Sequence, residues 1–286
     1  MTELITPLLV AALAVLLATA AAGFVVAVLA PRPLATTGGA DVDAPRPPLA
    51  GLLVPGVGLG AGLLVAASVA RAVAAGHAPW SNLHEVSIAF AAMLLLAYLA
   101  LARSVPISGL APLAAVLGAG LITVALNLDD RVQPLVPALQ QPLLLTVHVG
   151  TAILAYALAG VAFLAAAAEL GQRAAGGRIA LLPSVAVLRT VGHRAVLIGF
   201  PILTVAIVLG SVWANLAWRS YWSNDPKELA AAATWLVFGA YLHVATRTDG
   251  WGRLAPWLIV VGFAGVLFTY LGAGLLIVGE HSYGRP

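Results

Sequence analysis

Hydrophobic and polar positions fall in long blocks along this chain, without the short alternation of a soluble helix or strand. Apolar runs occupy roughly residues 5–29, 49–73, 83–102, 107–126, 143–170, 195–214, 229–246 and 254–278, punctuated by Pro, Gly, Asn, Asp and Arg. A hydrocarbon core about 30 Å thick is crossed by about 20 apolar residues in a helix, so each run is long enough to cross once. Lipid offers no water to backbone amides, and continuous apolar runs satisfy them within a helix. The pattern predicts an all-α, polytopic membrane helix bundle of about eight transmembrane helices. Residues 31–48, rich in Pro, Gly and Asp, read as a loop with too little apolar surface to order itself. The other long connection, 171–194, is expected to hold a short amphipathic piece around 179–188. No internal repeat is visible. The chain divides into 1–80, the first helices with their Pro/Gly-rich loop, and 81–286, which carries a Trp-rich connection.

Composition sharpens this picture. The chain is 62% hydrophobic and 9% charged, against about 25% charged in soluble domains, which excludes a soluble globular protein. The net charge of +3 is not a nucleic-acid signature, because no basic cluster stands on a soluble face. Cysteine is absent, which excludes a disulfide, a thiolate metal site and a C-x-x-C-H haem attachment within the chain. Residues 1–3 lack the basic start of a cleaved signal peptide, and the first run reads as a retained helix.

Lys and Arg set the expected orientation. With the N-terminus outside, the inner connections carry nine: Arg32, Arg46, Arg103, Arg173, Arg178, Arg189, Arg194, Arg247 and Arg253. The outer ones carry four, Arg131, Arg219, Lys227 and Arg285, with Arg71 at the outer end of the second run. Both termini are therefore expected on the outer, extracytoplasmic side, together with the Trp-rich connection and the start of the fifth run.

That connection reads GSVWANLAWRSYWSNDPKE over residues 210–228. Trp213, Trp218, Tyr221 and Trp222 beside a membrane segment suit an aromatic belt at headgroup level, or an apolar platform for a planar ligand. Asp225, Pro226 and Glu228 read as N-cap, first-turn proline and third-position glutamate of the next helix. Histidine is the commonest metal ligand, and six are present. On the residues alone, His148 reads as an interfacial histidine and His281 as a solvated tail residue. His243 reads as a hydrogen-bonded residue inside the seventh run, His77 as solvated, His84 as interfacial and His193 as a boundary residue.

The string VWAN…AW…YW…DPKE, followed by TWLVFGAYLH, resembles the tryptophan-rich WWD signature of the haem-handling proteins of cytochrome c maturation. The likeness extends to HRAVLIGFPILT, to LLTVHVGTAILAYALAGVAFLAA and to GEHSYG. Over roughly residues 80–286 the chain is similar to the CcsA/ResC-type membrane subunit of the system II cytochrome c synthase. It departs at Asn224, where the family usually has Trp, and at Arg219, where Gly usually follows the second Trp. The resemblance implies non-covalent haem b in transit across a bacterial cytoplasmic membrane. It implies presentation at the outer face for thioether attachment to the CxxCH motif of apocytochrome c, within a haem lyase complex with a ResB/CcsB-type partner.

In that setting His148 and His281 match the external axial ligands. His243 matches a second, intramembrane site whose other ligand comes from the partner. Trp213, Trp218, Tyr221 and Trp222 would supply the apolar face, with Asp225 beside them and Glu280 beside His281. Charge favours Lys227 or Arg219 as propionate partner over the two acids. No catalytic nucleophile or general acid of this chain is required, because the cofactor carries the difficult bonds. Two other readings use the same residues: a system I type protein passing haem to a chaperone, and a b-type electron-transfer cytochrome, which usually stacks paired histidines on one helix. A transporter with an aromatic vestibule is a third.

Overall fold

The computed structural model describes residues 2–29, 48–132, 142–245, 253–273, 277 and 279. Among these residues the chain is all helical, with eight helices long and apolar enough to cross a membrane. They are α1 (Thr2–Leu29), α2 (Leu53–Ala75), α3 (Leu83–Ala102), α4 (Ala111–Leu126), α5 (Pro142–Ala174), α6 (Val185–Trp218), α7 (Pro226–Ala245) and α8 (Ala255–Leu267). Short 3₁₀ turns, Pro48–Leu52 and Ser108–Leu110, lead into α2 and α4. The backbone of α8 widens to a π-type turn over Phe268–Gly272.

Every expected run contains a helix, but two ends differ. The sixth starts at Val185, about ten residues before the apolar run, because Ser184 caps it by accepting from the Val187 amide. Arg189, His193 and Arg194 therefore lie on a helix that, at 34 residues and about 1.5 Å each, outreaches the hydrocarbon core. No separate amphipathic piece forms at 179–188. Gln172, buried at the end of α5, instead ties down the connection by donating to the carbonyls of Ile179, Leu182 and Pro183 and accepting from the Ile179 amide. The eighth helix leaves regular geometry after Leu267, short of residue 278.

α1 to α4 pack against one another, and α5 packs most extensively on α6 and then on α3 and α8. The α3–α5 contact joins the two groups into one apolar core. Close approach there rests on missing side chains: a Cβ at Gly160 of α5 would stand 2.6 Å from Leu94 Cδ1 of α3. Ser87 Oγ and Tyr270 Oη form a hydrogen bond between α3 and α8.

At one end of the bundle a buried ion pair locks two connections together. Arg71 and Glu85, 2% and 1% exposed, meet at 2.8 Å. The Arg71 guanidinium also donates to the carbonyls of Asp130 and Arg131, while Glu85 accepts from the Ser81 amide and hydroxyl. Each guanidinium nitrogen and both carboxylate oxygens thus have a partner, which is what makes a buried pair tolerable. On the same connection, Arg131 donates to both oxygens of Asp129 and holds that exposed carboxyl well below its usual range, at about 2.

Candidate functional site

His148 lies in the second turn of α5, half-buried, in a slot on the facing side of α6. Ala206, Gly210 and Trp213 are spaced i, i+4, i+7 and so share one helix face. His148 Nδ1 stands 3.0 Å from the Ala206 carbonyl oxygen. A carbonyl only accepts, so Nδ1 carries a proton here, and in the neutral ring the lone pair is then on Nε2. The ring lies so close to Gly210 that a Cβ there would stand 2.7 Å from His148 Cε1. Trp213 stacks beside it, with centroids 6.2 Å apart and planes at 11°.

Trp213 is buried and meets Trp218 edge to face, at 4.9 Å and 77°. Leu144, Leu145, Val149 and Ala217 complete this apolar cluster. The first two tryptophans therefore brace the histidine instead of forming one flat platform with Tyr221 and Trp222, which are exposed. Ser211 donates to the Tyr221 carbonyl and ties the loop back to α6. The Trp222 indole donates to Asn224 Oδ1 at 2.8 Å.

Both departures from the family pattern sit where the backbone turns left-handed. Arg219 ends α6 with φ 62°, and Asn224 has φ 60°. Asparagine tolerates this region well; arginine at a helix C-terminus takes it at a cost that glycine avoids.

Asp225 caps α7: its Oδ1 accepts from the Lys227 amide at 2.9 Å, and Glu228 Oε2 accepts from the amides of Asp225 and Ser223. This is the capping arrangement read from DPKE. The chain returns here at its far end, since a Cβ on Gly279 would stand 2.3 Å from Asp225 Oδ2. Glu280 and His281, the next two residues, lie outside the described residues.

His148, the aromatic loop and Asp225 thus occupy one end of α5, α6 and α7. His243 does not join them. It is exposed on α7, 17 residues beyond Pro226, or about 25 Å along the helix axis. Between the two levels, α5, α6, α7 and α8 leave a small, partly open apolar cleft, lined in part by Ala155, Tyr156, Gly199, Phe200, Phe238 and Val266.

The cytochrome C assembly protein family profile matches residues 80–281. The chain belongs to this family. "Cytochrome c biogenesis protein CcsA" of Parasynechococcus marenigrum is 36% identical over 253 residues, covering 78% of this chain and 83% of the relative. The protein of the same description from Synechococcus sp. (strain CC9902) is 36% identical over 270 residues, covering 84% and 88%. A shorter stretch of 98 residues is 56% identical to its Synechococcus elongatus counterpart, covering 34% of this chain and 30% of that one. The CcsA-type resemblance read from the Trp-rich motif is borne out, as is the polytopic helical membrane fold.

Three further histidines of this cytochrome c assembly family member have polar partners in the structure. His84, in the first turn of α3, is 3% exposed, with Nδ1 donating to the Ala125 carbonyl of α4 at 2.9 Å. His77 is half-buried, not solvated, and its Nδ1 donates to the Ala78 carbonyl. His193 lies inside α6, with Nδ1 3.3 Å from the Tyr241 hydroxyl of α7. Sequence reasoning also passed over Ala206 and Gly210. Their spacing to Trp213 was readable, but their facing partner on α5 was not. It passed over Trp235 as well, whose indole donates to Thr204 Oγ1 across the α6–α7 seam while its ring stacks on Phe200.

Proposed function

We propose that this chain acts in cytochrome c biogenesis as the membrane subunit that takes up haem b and presents it at the outer face of the bacterial cytoplasmic membrane, for attachment to the CxxCH motif of apocytochrome c. The observation that carries the reading is the slotted His148, its Nδ1 on the Ala206 carbonyl beside a Trp-rich loop, in a chain of the cytochrome c assembly family. The donor set suits haem: a neutral imidazole is an ordinary axial ligand, and indoles pack well on a flat apolar ring.

His148 and His281 are the external ligand pair in this reading. Arg219 and Lys227 supply positive charge for the propionates, and Trp218, Tyr221 and Trp222 exclude water from the ring edge. His243 holds a separate site nearer the cytoplasm, with its second ligand from a ResB/CcsB-type partner. Residues 81–286 form the haem-handling domain and residues 1–80 an accessory pair of helices. The asymmetry of Lys and Arg supports placing both termini outside.

Haem supplies the reactive vinyl groups. Each client thiol adds across one vinyl, with sulfur on one carbon and the thiol hydrogen on the other, so no external oxidant or reductant is consumed. This chain's residues orient the ring and exclude water.

The test is a pyridine haemochrome measurement on the full chain purified with and without its partner subunit, alongside cytochrome c maturation in cells lacking the native synthase. Bound haem b together with maturation supports the reading. Haem-free protein that still sustains maturation overturns it. Transfer of haem to a soluble chaperone before attachment would favour a system I type role.

A further inference from the structure

In α6 the Ala206 carbonyl already serves the helix ladder, whose regular partner is the amide of residue 210. A side chain from α5 that reaches the same oxygen must come close to α6 at position 210. His148 does so, and an added Cβ at Gly210 would stand 2.7 Å from Cε1, 3.3 Å from Nδ1 and 3.4 Å from Nε2. The ring has little freedom to yield: Trp213 stacks on one side, and the Ala206 carbonyl holds it at the base. Gly150, two residues along α5 from His148, contrasts with this, since a Cβ there would meet nothing within 4 Å.

We infer that Gly210 is a positioning residue for His148, acting by the absence of a side chain. The open backbone lets Nδ1–H rest on the Ala206 carbonyl, which sets the tautomer of the neutral ring and the direction in which Nε2 points. A hydrogen bond from the far ring nitrogen is the usual way a ligating imidazole is oriented and made more basic. Here a helix carbonyl takes that role, and the glycine one turn on makes it accessible. An alanine at 210 overfills the slot, displaces the ring from the carbonyl and leaves Nε2 misdirected. The inference rests on the proposed ligation by His148, and its test separates the two.

The full chain with its partner is labelled with nitrogen-15 histidine, and the His148 signals are assigned by their loss in His148→Gly. Haem-free wild type is expected to show one neutral tautomer protonated at Nδ1. Gly210→Ala should show a tautomer mixture, and Gly150→Ala should match wild type. In the haem-loaded complex, Gly210→Ala should convert the six-coordinate low-spin spectrum toward a five-coordinate high-spin one, and added imidazole should reverse this. If Gly210→Ala does not accumulate, the double variant His148→Gly/Gly210→Ala should, because the clashing ring is gone; a double variant that also fails to accumulate overturns the inference. If His148→Gly leaves the haem spectrum unchanged, the ligation reading fails whatever Gly210 does. If His148→Gly changes it while Gly210→Ala matches Gly150→Ala in both spectra, the positioning role is overturned.

Discussion

Replacing Arg219 by glycine should make this protein more stable and a poorer holder of haem. Arg219 ends α6 at φ 62°, ψ 23°, with its amide bonded to the Asn215 carbonyl. A side chain in that left-handed conformation costs roughly 1–2 kcal/mol. Glycine removes the cost, but its freer unfolded chain returns roughly 0.5–1 kcal/mol. The balance is a net gain of about 0.5–1 kcal/mol, or a rise of about 1–3 °C in the unfolding midpoint for a chain of this size. The guanidinium is exposed, so removing its charge adds little to stability. The assay is a tryptophan-fluorescence melt in detergent of Arg219→Gly, Arg219→Asn and Arg219→Ala beside wild type. Glycine and asparagine should rise, and alanine should not, because it keeps the Cβ that causes the strain. If alanine stabilises as much as glycine, charge and not backbone conformation governs the site, and the argument fails. Haem retention should fall in all three variants if Arg219 faces the propionates.

Other expectations follow from the same geometry. A cytoplasm-only reporter fused near Gly176 and an export-only reporter fused near Ser220 should both be active; the reverse pattern would remove the external site. His243→Ala should abolish a buried haem population seen only with the partner subunit present, and unchanged haem content and spectra in both preparations would leave His243 with no part in binding haem. Glu85→Gln should strongly destabilise the chain, by about 3–5 kcal/mol, because it leaves Arg71 charged and buried. The double change Arg71→Met/Glu85→Leu should recover most of that loss in a detergent melt, and an equal loss in both variants would deny the pair its role.

The eight crossings were legible because each is a continuous apolar run, and lipid leaves the backbone little choice beyond a helix. The start of α6 was not, because Arg189, His193 and Arg194 mark the exit from hydrocarbon while the helix continues past it. DPKE announced its cap because N-cap, proline and glutamate act within four residues of one another. The slot around His148 was hidden for the opposite reason. Gly210 and His148 are far apart in sequence, and a glycine in an apolar helix does not announce what it faces. Likewise Asn224 and Arg219 read as departures from a motif, and only the backbone shows that both occupy left-handed positions. The aromatic run pointed to the right end of the bundle but not to its division of labour, with Trp213 buried as a brace and Trp222 exposed.

The claim that matters most is that His148 ligates haem on the outer face, with His281 as its partner. The direct test is chemical rescue. His148→Gly and His281→Gly should each lose cytochrome c maturation and show a five-coordinate haem, and added imidazole should restore six-coordination and part of the maturation, because glycine leaves room for the substitute. Trp222→Ala should lower haem retention without creating a position that imidazole fills. If both glycine variants keep wild-type spectra and wild-type maturation, His148 is an interfacial histidine packed on α6, and the account of the site is wrong.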